Sequence, residues 1–401
     1  MASTPDRLPA RYWRLWWAGA IDNVGNGALV TALPLLAITL TTDPRLISLV
    51  AAASFVPWLL FALPAGALVD RYSRIGLMRS AQLFQVVVVM AVAVLISLEA
   101  MDVVFLMVVA FLVGVGQVVS GIASQSVMPE IVEHRLLPRA NARQYLATTI
   151  GQSFVGPPVG SLVFGLAIAM PFGLHGAALV TSVVLLARLR GVARPRETVQ
   201  PAGPAIREGL RWLLGHRLLR TLALLLGVNT FCFQLGNVTL VLLATQELGV
   251  TVSGYGTLLA AAAVGSVLGG LLTARLVTTF GQIPVLVTAL GVNAATFILL
   301  GLSPDVRTLA ALLALSGLVT AAWNVVTITL RQELVPLALL GRVNSVYRLL
   351  GWGLIPLGAV AGGLIAHELA VRAGYPIAGT LRALALLVSL PLLVRAHRQG
   401  R

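Results

Sequence analysis

Twelve stretches of about twenty mostly apolar residues, separated by short arginine-bearing segments, leave few folds open to this chain. A helix of that length matches the hydrocarbon thickness of a bilayer. The stretches fall at 14–38, 46–69, 80–98, 103–124, 146–168, 169–188, 219–243, 254–278, 283–302, 308–329, 346–366 and 375–395. The fifth and sixth share only a short turn near Met170-Pro171. Composition agrees, with 58% hydrophobic residues and only 10% charged, where a soluble chain carries roughly a quarter charged. The expectation is an all-α integral membrane protein with twelve spanning helices. The first stretch does not read as a cleavable signal: it is too long, lacks a small-residue cleavage site and carries Asp22 and Asn26 at its middle.

Charge supplies the topology. Net charge is +14, and all 28 basic residues are arginine. The lack of lysine excludes a Walker A motif, a Schiff base and a catalytic lysine. Nucleic-acid binders gather positive charge on one solvated face, whereas these arginines are dispersed between apolar stretches, so no nucleic-acid partner is expected. With the N-terminus inside, 24 of the 28 fall on the inner side, and only Arg45, Arg307, Arg372 and Arg382 do not. That places the chain in the cell inner membrane with both termini cytoplasmic, and Trp13, Trp16 and Trp17 at the inner interface. The single cysteine, Cys232, excludes a disulfide framework and a thiolate metal cluster. His134, His175, His216, His367 and His397 have no ligand spacing, and no HExxH, GxSxG or P-loop occurs. No enzyme activity, metal or cofactor is expected.

The longest polar stretch, 189–218, contains Pro195, Pro201 and Pro204 and divides six spans from six. The implied layout is an N-terminal six-helix bundle at 1–188, a cytoplasmic central loop at 189–218 and a C-terminal six-helix bundle at 219–401. Within the loop, IREGLRWLLGHRLL from Ile206 reads as a short basic amphipathic helix, either on the inner membrane surface or as a solvated linker. The halves repeat. A shift of 203 residues sets Glu130 on Glu333, Arg139 on Arg342, Asn141 on Asn344, Gly160 on Gly363, Asn26 on Asn229 and Gly66 on Gly269. Parallel repeats joined by a central loop are a known transporter layout.

After span two the chain reads Gly66-Ala-Leu-Val-Asp70-Arg71-Tyr-Ser-Arg74. This resembles the signature loop of the major facilitator superfamily, and with twelve spans and a six-plus-six repeat the resemblance covers essentially the whole chain. It implies an inner-face gate. Gly66 would let two helices approach closely, and Asp70 would cap a helix or pair with arginines such as Arg71 and Arg74. The equivalent loop, Gly269 to Gly281, keeps Arg275 but lacks the acid. MPEIVEHRLLPRANARQ from Met128 and its partner LRQELVPLALLGRVNSVYR from Leu330 look like the macrolide-efflux and enterobactin-exporter branch, as does IREGLRWLL. Glu130 with Arg139, and Glu333 with Arg342, would then form matched inner-face pairs. Span five carries Gly151-Gln-Ser-Phe-Val-Gly156-Pro157-Pro158-Val-Gly160, similar to the glycine-proline motif of antiporters in that superfamily. Pro157 bends a helix, and Gly156 and Gly160 make a close-contact face, as do Gly265/Gly269 and Gly358/Gly362. The resemblance implies that spans two, five, eight and eleven line the contact between halves.

Asp22 is the only acid deep inside a span, and an intramembrane carboxylate is by default a functional site. It suits reversible proton binding; a structural helix–helix hydrogen bond is the other reading. Asn23 and Asn26 lie within a turn, and Gln117, Gln152, Asn229, Gln234, Asn237, Asn293 and Asn324 add amides that can line a substrate cavity or join helices. Arg382 either snorkels outward or pairs with Glu368 or a substrate carboxylate. Drug–proton antiporters of the superfamily usually carry an arginine in span four; here Phe105 to Ala123 has none, which shifts weight onto Asp22. The expected function is proton-coupled efflux of amphipathic small molecules by a monomer whose partners are substrate, protons and lipid. A metabolite importer or symporter and a non-transporting membrane sensor are the alternatives.

Overall fold

A computed structural model describes residues 8–133, 136–189 and 202–399. Among these the regular structure is helical, with no strand. The first four helices are α1 (Ala10–Leu40), α2 (Pro44–Arg71), α3 (Arg74–Ser97) and α4 (Val103–Ile131). Span five then consists of α5 (Leu137–Thr148), a π-helical segment (Thr149–Val155) and α6 (Gly156–Leu166), followed by α7 (Met170–Ala187) and α8 (Ala202–Gly215). Span seven is α9 (Arg217–Asn237), continued by the short α10 (Leu240–Leu242) and a second π segment (Leu243–Glu247). The remainder are α11 (Val252–Phe280), α12 (Gln282–Gly301), α13 (Val306–Leu334), α14 (Leu337–Gly353), α15 (Ile355–Glu368) and α16 (Gly374–Gln399).

Among the described residues eleven helical stretches are long and apolar enough to cross a membrane, counting α9 with its continuation as one and α14–α15 as another. The remaining expected span, the fifth, is present in pieces, none of which alone reaches the necessary length. Pro157 and Pro158 open α6 and have no N–H to donate, so the helical ladder is interrupted there. It reconnects in π register, the Gly156 amide donating to the Gly151 carbonyl five residues back. The bend expected at Pro157 thus takes the form of a π segment. Ala167 in extended backbone ends α6, and Pro171 in the first turn of α7 restarts the chain, which makes the short turn between spans five and six.

Side-chain caps fix several starts. Asp102 accepts from the Phe105 amide at 2.8 Å, and Asp305 accepts from the Thr308 amide at 2.8 Å. These two caps are related by the same 203-residue shift, and each opens a 29-residue helix, α4 and α13. The repeat is therefore carried in helix boundaries as well as in motifs.

The helices form two compact units. The first comprises the described parts of Met1–Leu40, Val56–Val199 and Val252–Thr257; the second comprises Thr41–Phe55, the described parts of Gln200–Thr251, and Leu258–Arg401. The start of α2 thus groups with the second unit and the start of α11 with the first, exchanges that a simple cut at 188 and 219 does not contain. In the first unit α1 packs on α7, α6 and the π segment, while α3 packs on α4 and α7. Tyr12, Leu15, Ile75, Met78, Val127 and Leu186 build one core at its N-terminal end. In the second unit α9 packs on α15 and α16, and α12 on α13 and α16. The amphipathic helix α8 docks on α14: Gly209 lies against the Arg342 backbone, and Leu213 is buried beside Leu219 and Val343. Leu213 and part of Trp212 are thereby covered by protein, while Leu210 and Leu214 stay exposed.

Small residues set the close approaches, with Gly256 of α11 against Pro157 of α6 and Gly363 of α15 against Ser48 of α2. Gly156 meets Gly27, and Gly160 meets Ala28, joining α6 to α1. Gly265 and Gly269 lie on the α13 backbone at Ala314 and Leu318, and Gly358 and Gly362 lie on α9 at Phe231 and Leu235. Each of these contacts lies inside one unit. Gly66 is the clearest correction, since nothing stands within 4 Å of where its side chain would be.

Candidate transport site

The middle of α1 is a polar hub. Asp22, half-buried, accepts a 3.4 Å bond from Gln82 Nε2 of α3, and the same amide donates to Ser182 Oγ of α7 at 3.0 Å. Asn23 donates to Thr148 Oγ1 at the end of α5 (3.2 Å), and Asn26 Oδ1 accepts from Gln117 Nε2 of α4 (2.7 Å). Three consecutive polar side chains of one helix thus reach three of its neighbours. Gly151 packs on Asn23 and Val24, which holds the π segment against this hub, with Gln152 half-buried beside it. Among the described residues Asp22 has one long hydrogen bond and no cation against it, an arrangement that leaves it chemically available.

The second unit answers with a cation. Arg382 of α16 is only 6% exposed, so it neither snorkels outward nor pairs with Glu368. It points inward, donating to Asn293 Oδ1 of α12 and to the Asn229 carbonyl of α9 at 2.9 Å, with its guanidinium 3.7 Å from the Phe297 ring centroid. Asn293 passes the network on to Thr320 of α13 at 3.2 Å. Asn237 is half-buried and Gln234 buried on α9, while Asn324 is exposed on α13; these three stand apart from the Arg382 cluster.

A family model described as "Transmembrane secretion effector" matches residues 7–399. The chain belongs to that family. It is 28% identical over 393 residues to the multidrug efflux pump Tap of Mycolicibacterium fortuitum, covering 94% of this chain and 92% of that protein. Among solved structures it resembles a bacterial homologue of the iron transporter ferroportin (TM-score 0.76, 15% identity, 96% of this chain and 98% of that one). It also resembles the POT family transporter PepTSo (TM-score 0.76, 12% identity, 98% and 99%). The fold is the twelve-helix architecture of the major facilitator transporters, and this secretion effector is a membrane transporter rather than an enzyme.

At the loop-side ends of α3, α4 and α14 the charges pair differently from expectation. Glu130 at the end of α4 forms an ion pair with Arg74 at the start of α3, and Arg74 also donates to the Ser126 carbonyl at 3.0 Å. Arg342 pairs with Glu208 of α8, while Glu333 accepts from Gln282 at 3.2 Å, so a Glu333–Arg342 pair does not form. Arg71 and Arg139 are exposed. The side chain of Asp70 lies outside the described ones, as do His134, Arg135 and the loop arginines 190, 194 and 196. Sequence reasoning missed Gln82, Ser182, Thr148 and Thr320. The amides Gln82 and Gln85 within a mostly apolar span were the available signal, of the same kind that singled out Gln117.

Proposed function

We propose that this transporter exports amphipathic small molecules in exchange for protons by alternating access between its two six-helix halves. It would act as a monomer in the cell inner membrane with both termini inside. The observation that carries the reading is Asp22, the one acid in mid-span, set in the α1 hub with a single weak hydrogen bond. Such a carboxyl can hold a proton in one conformation and release it when its surroundings change. The likeness to a multidrug efflux pump over nearly the whole chain supports the direction of transport and the breadth of substrate. The half-buried amides of α1, α4 and the π segment offer polar contacts to substrate, and the Asp70, Arg71, Arg74 and Glu130 region offers an inner gate that forms and breaks during the cycle.

The test uses purified protein in proteoliposomes with ethidium as the amphipathic probe. An imposed pH gradient should drive ethidium against its concentration gradient, and Asp22→Asn should abolish that movement while leaving downhill exchange of the dye. Undiminished pH-driven efflux in Asp22→Asn overturns the coupling role. Asp70→Asn should slow turnover with little change in ethidium binding.

A further inference from the structure

His175, in the second turn of α7, is 1% exposed, and neither ring nitrogen has a hydrogen-bond partner. Leaving two polar atoms so placed is costly unless something uses them. The ring lies directly against α1: a methyl group at Gly25 would stand 2.7 Å from Nδ1 and 2.8 Å from the Ala178 methyl. Gly25 is therefore the residue that admits the imidazole. One helical turn back along α1, about 4.5 Å along the axis, is Asp22. At that level Gln82 and Ser182 close the polar layer, and Gln82 Oε1 is likewise buried without a partner.

Depth gives the arrangement a direction. With the N-terminus inside, α7 enters the membrane from outside at Met170, so His175 lies about 7.5 Å below its outer end and Ser182 about 18 Å below. His175 thus stands between the outer surface and Asp22. We infer that His175 is the relay through which external protons reach Asp22, on a route inside the first unit along α1, α3 and α7. One imidazole nitrogen accepts a proton from the outer side; the other N–H gives its proton, directly or through one water, to the Asp22 carboxylate. The ring returns to neutral with its tautomer exchanged, and no other group need change charge. The charged groups on the helices around this route lie mostly at their ends. On α1 they are Asp22 and, at the inner end, Arg11 and Arg14; on α3, Arg74 and Arg79 at the inner end, with Glu99 just beyond the outer end; Arg188 follows the inner end of α7; α4 adds Glu130 at its inner end and Asp102 before its outer end, α5 adds Arg139 and Arg143, and α6 contributes none.

The inference rests on Asp22 being the proton carrier, and one experiment separates the two. Time-resolved infrared spectroscopy after an external pH jump follows the carboxyl band of Asp22 in proteoliposomes, identified by its absence in Asp22→Asn. In His175→Gln, which keeps size and hydrogen bonding but does not titrate, the band should appear on the order of tenfold more slowly and reach the same final amplitude. A purely structural histidine would leave the rate unchanged, and that outcome overturns the relay. Absence of any Asp22 band change between pH 5 and 9 overturns the carrier role itself. His175→Asn serves as the second non-titrating variant if the glutamine form does not fold, with the same two readings.

Discussion

The two units place opposite charges among equivalent sets of three helices, on members that the repeat does not pair. Asp22 lies among α1, α3 and α7; Arg382 lies among α16, α12 and α9, which the repeat relates to α7, α3 and α1. Under the 203-residue shift Arg382 stands where the first half has Leu179, and Asn293 where it has Met90. Duplication has kept helix positions and caps while chemistry diverged. The difference is one of kind: a carboxylic acid can shed its charge within the physiological range, whereas a guanidinium cannot. Asp22 is held loosely, by one 3.4 Å bond, and Arg382 tightly, by an amide, a carbonyl and an aromatic face. The proposed switch and a strut thus sit in equivalent helix triads, though not at paired positions.

Substituting each charge sharpens this contrast most. Asp22→Asn should remove pH-driven efflux altogether and leave stability nearly unchanged. Arg382→Gln should do the reverse, lowering unfolding stability by about 2–4 kcal/mol through lost charge-assisted hydrogen bonds and the ring contact, while the surviving protein keeps its pH dependence. Denaturation midpoints in detergent and ethidium efflux across a pH series check both. A pH profile that shifts in Arg382→Gln would break the distinction.

The next contrast lies in two glycines that the repeat pairs. Gly269 sits on the Leu318 backbone, whereas Gly66 faces open space. Gly269→Ala should cost about 1–3 kcal/mol through forced separation of α11 and α13. Gly66→Ala should be neutral or stabilise by up to about 1 kcal/mol, because alanine is the better helix former. Thermal unfolding of the two variants decides it, and equal effects would show that the two positions pack alike after all.

That pair also marks what sequence could and could not disclose. Apolar run lengths and arginine placement were enough for the spans, because a bilayer imposes both on each segment separately. Asp22 was legible for the same reason, as an acid has no inexpensive place in mid-span. Gly66 and Arg382 were not, since their roles depend on how each helix is rotated against its neighbours. Nothing in the spacing of Arg382 distinguishes a side chain that snorkels from one that turns inward to Asn293. Partners for Glu130 and Arg342 were misjudged because the repeat matched them within each loop, while the actual partners, Arg74 and Glu208, lie on other helices.

The smallest contrast concerns the twin caps. Asp305 accepts from the Thr308 amide and, at 3.2 Å, from its hydroxyl, and these bonds, the backbone one foremost, hold its carboxyl below the usual carboxylate range. Asp102 is followed by valines, and its only cap bond is to the Phe105 amide. A carboxyl lowered in the folded state adds stability above its unfolded value of about 3.9. That contribution is lost as pH falls through the folded value. Asparagine caps nearly as well as aspartate but does not titrate. Asp305→Asn should therefore melt close to wild type at pH 7 and decline less steeply between pH 4.5 and 3. An acid limb that Asp305→Asn leaves as steep as wild type would show that the lowered Asp305 carboxyl contributes nothing to stability.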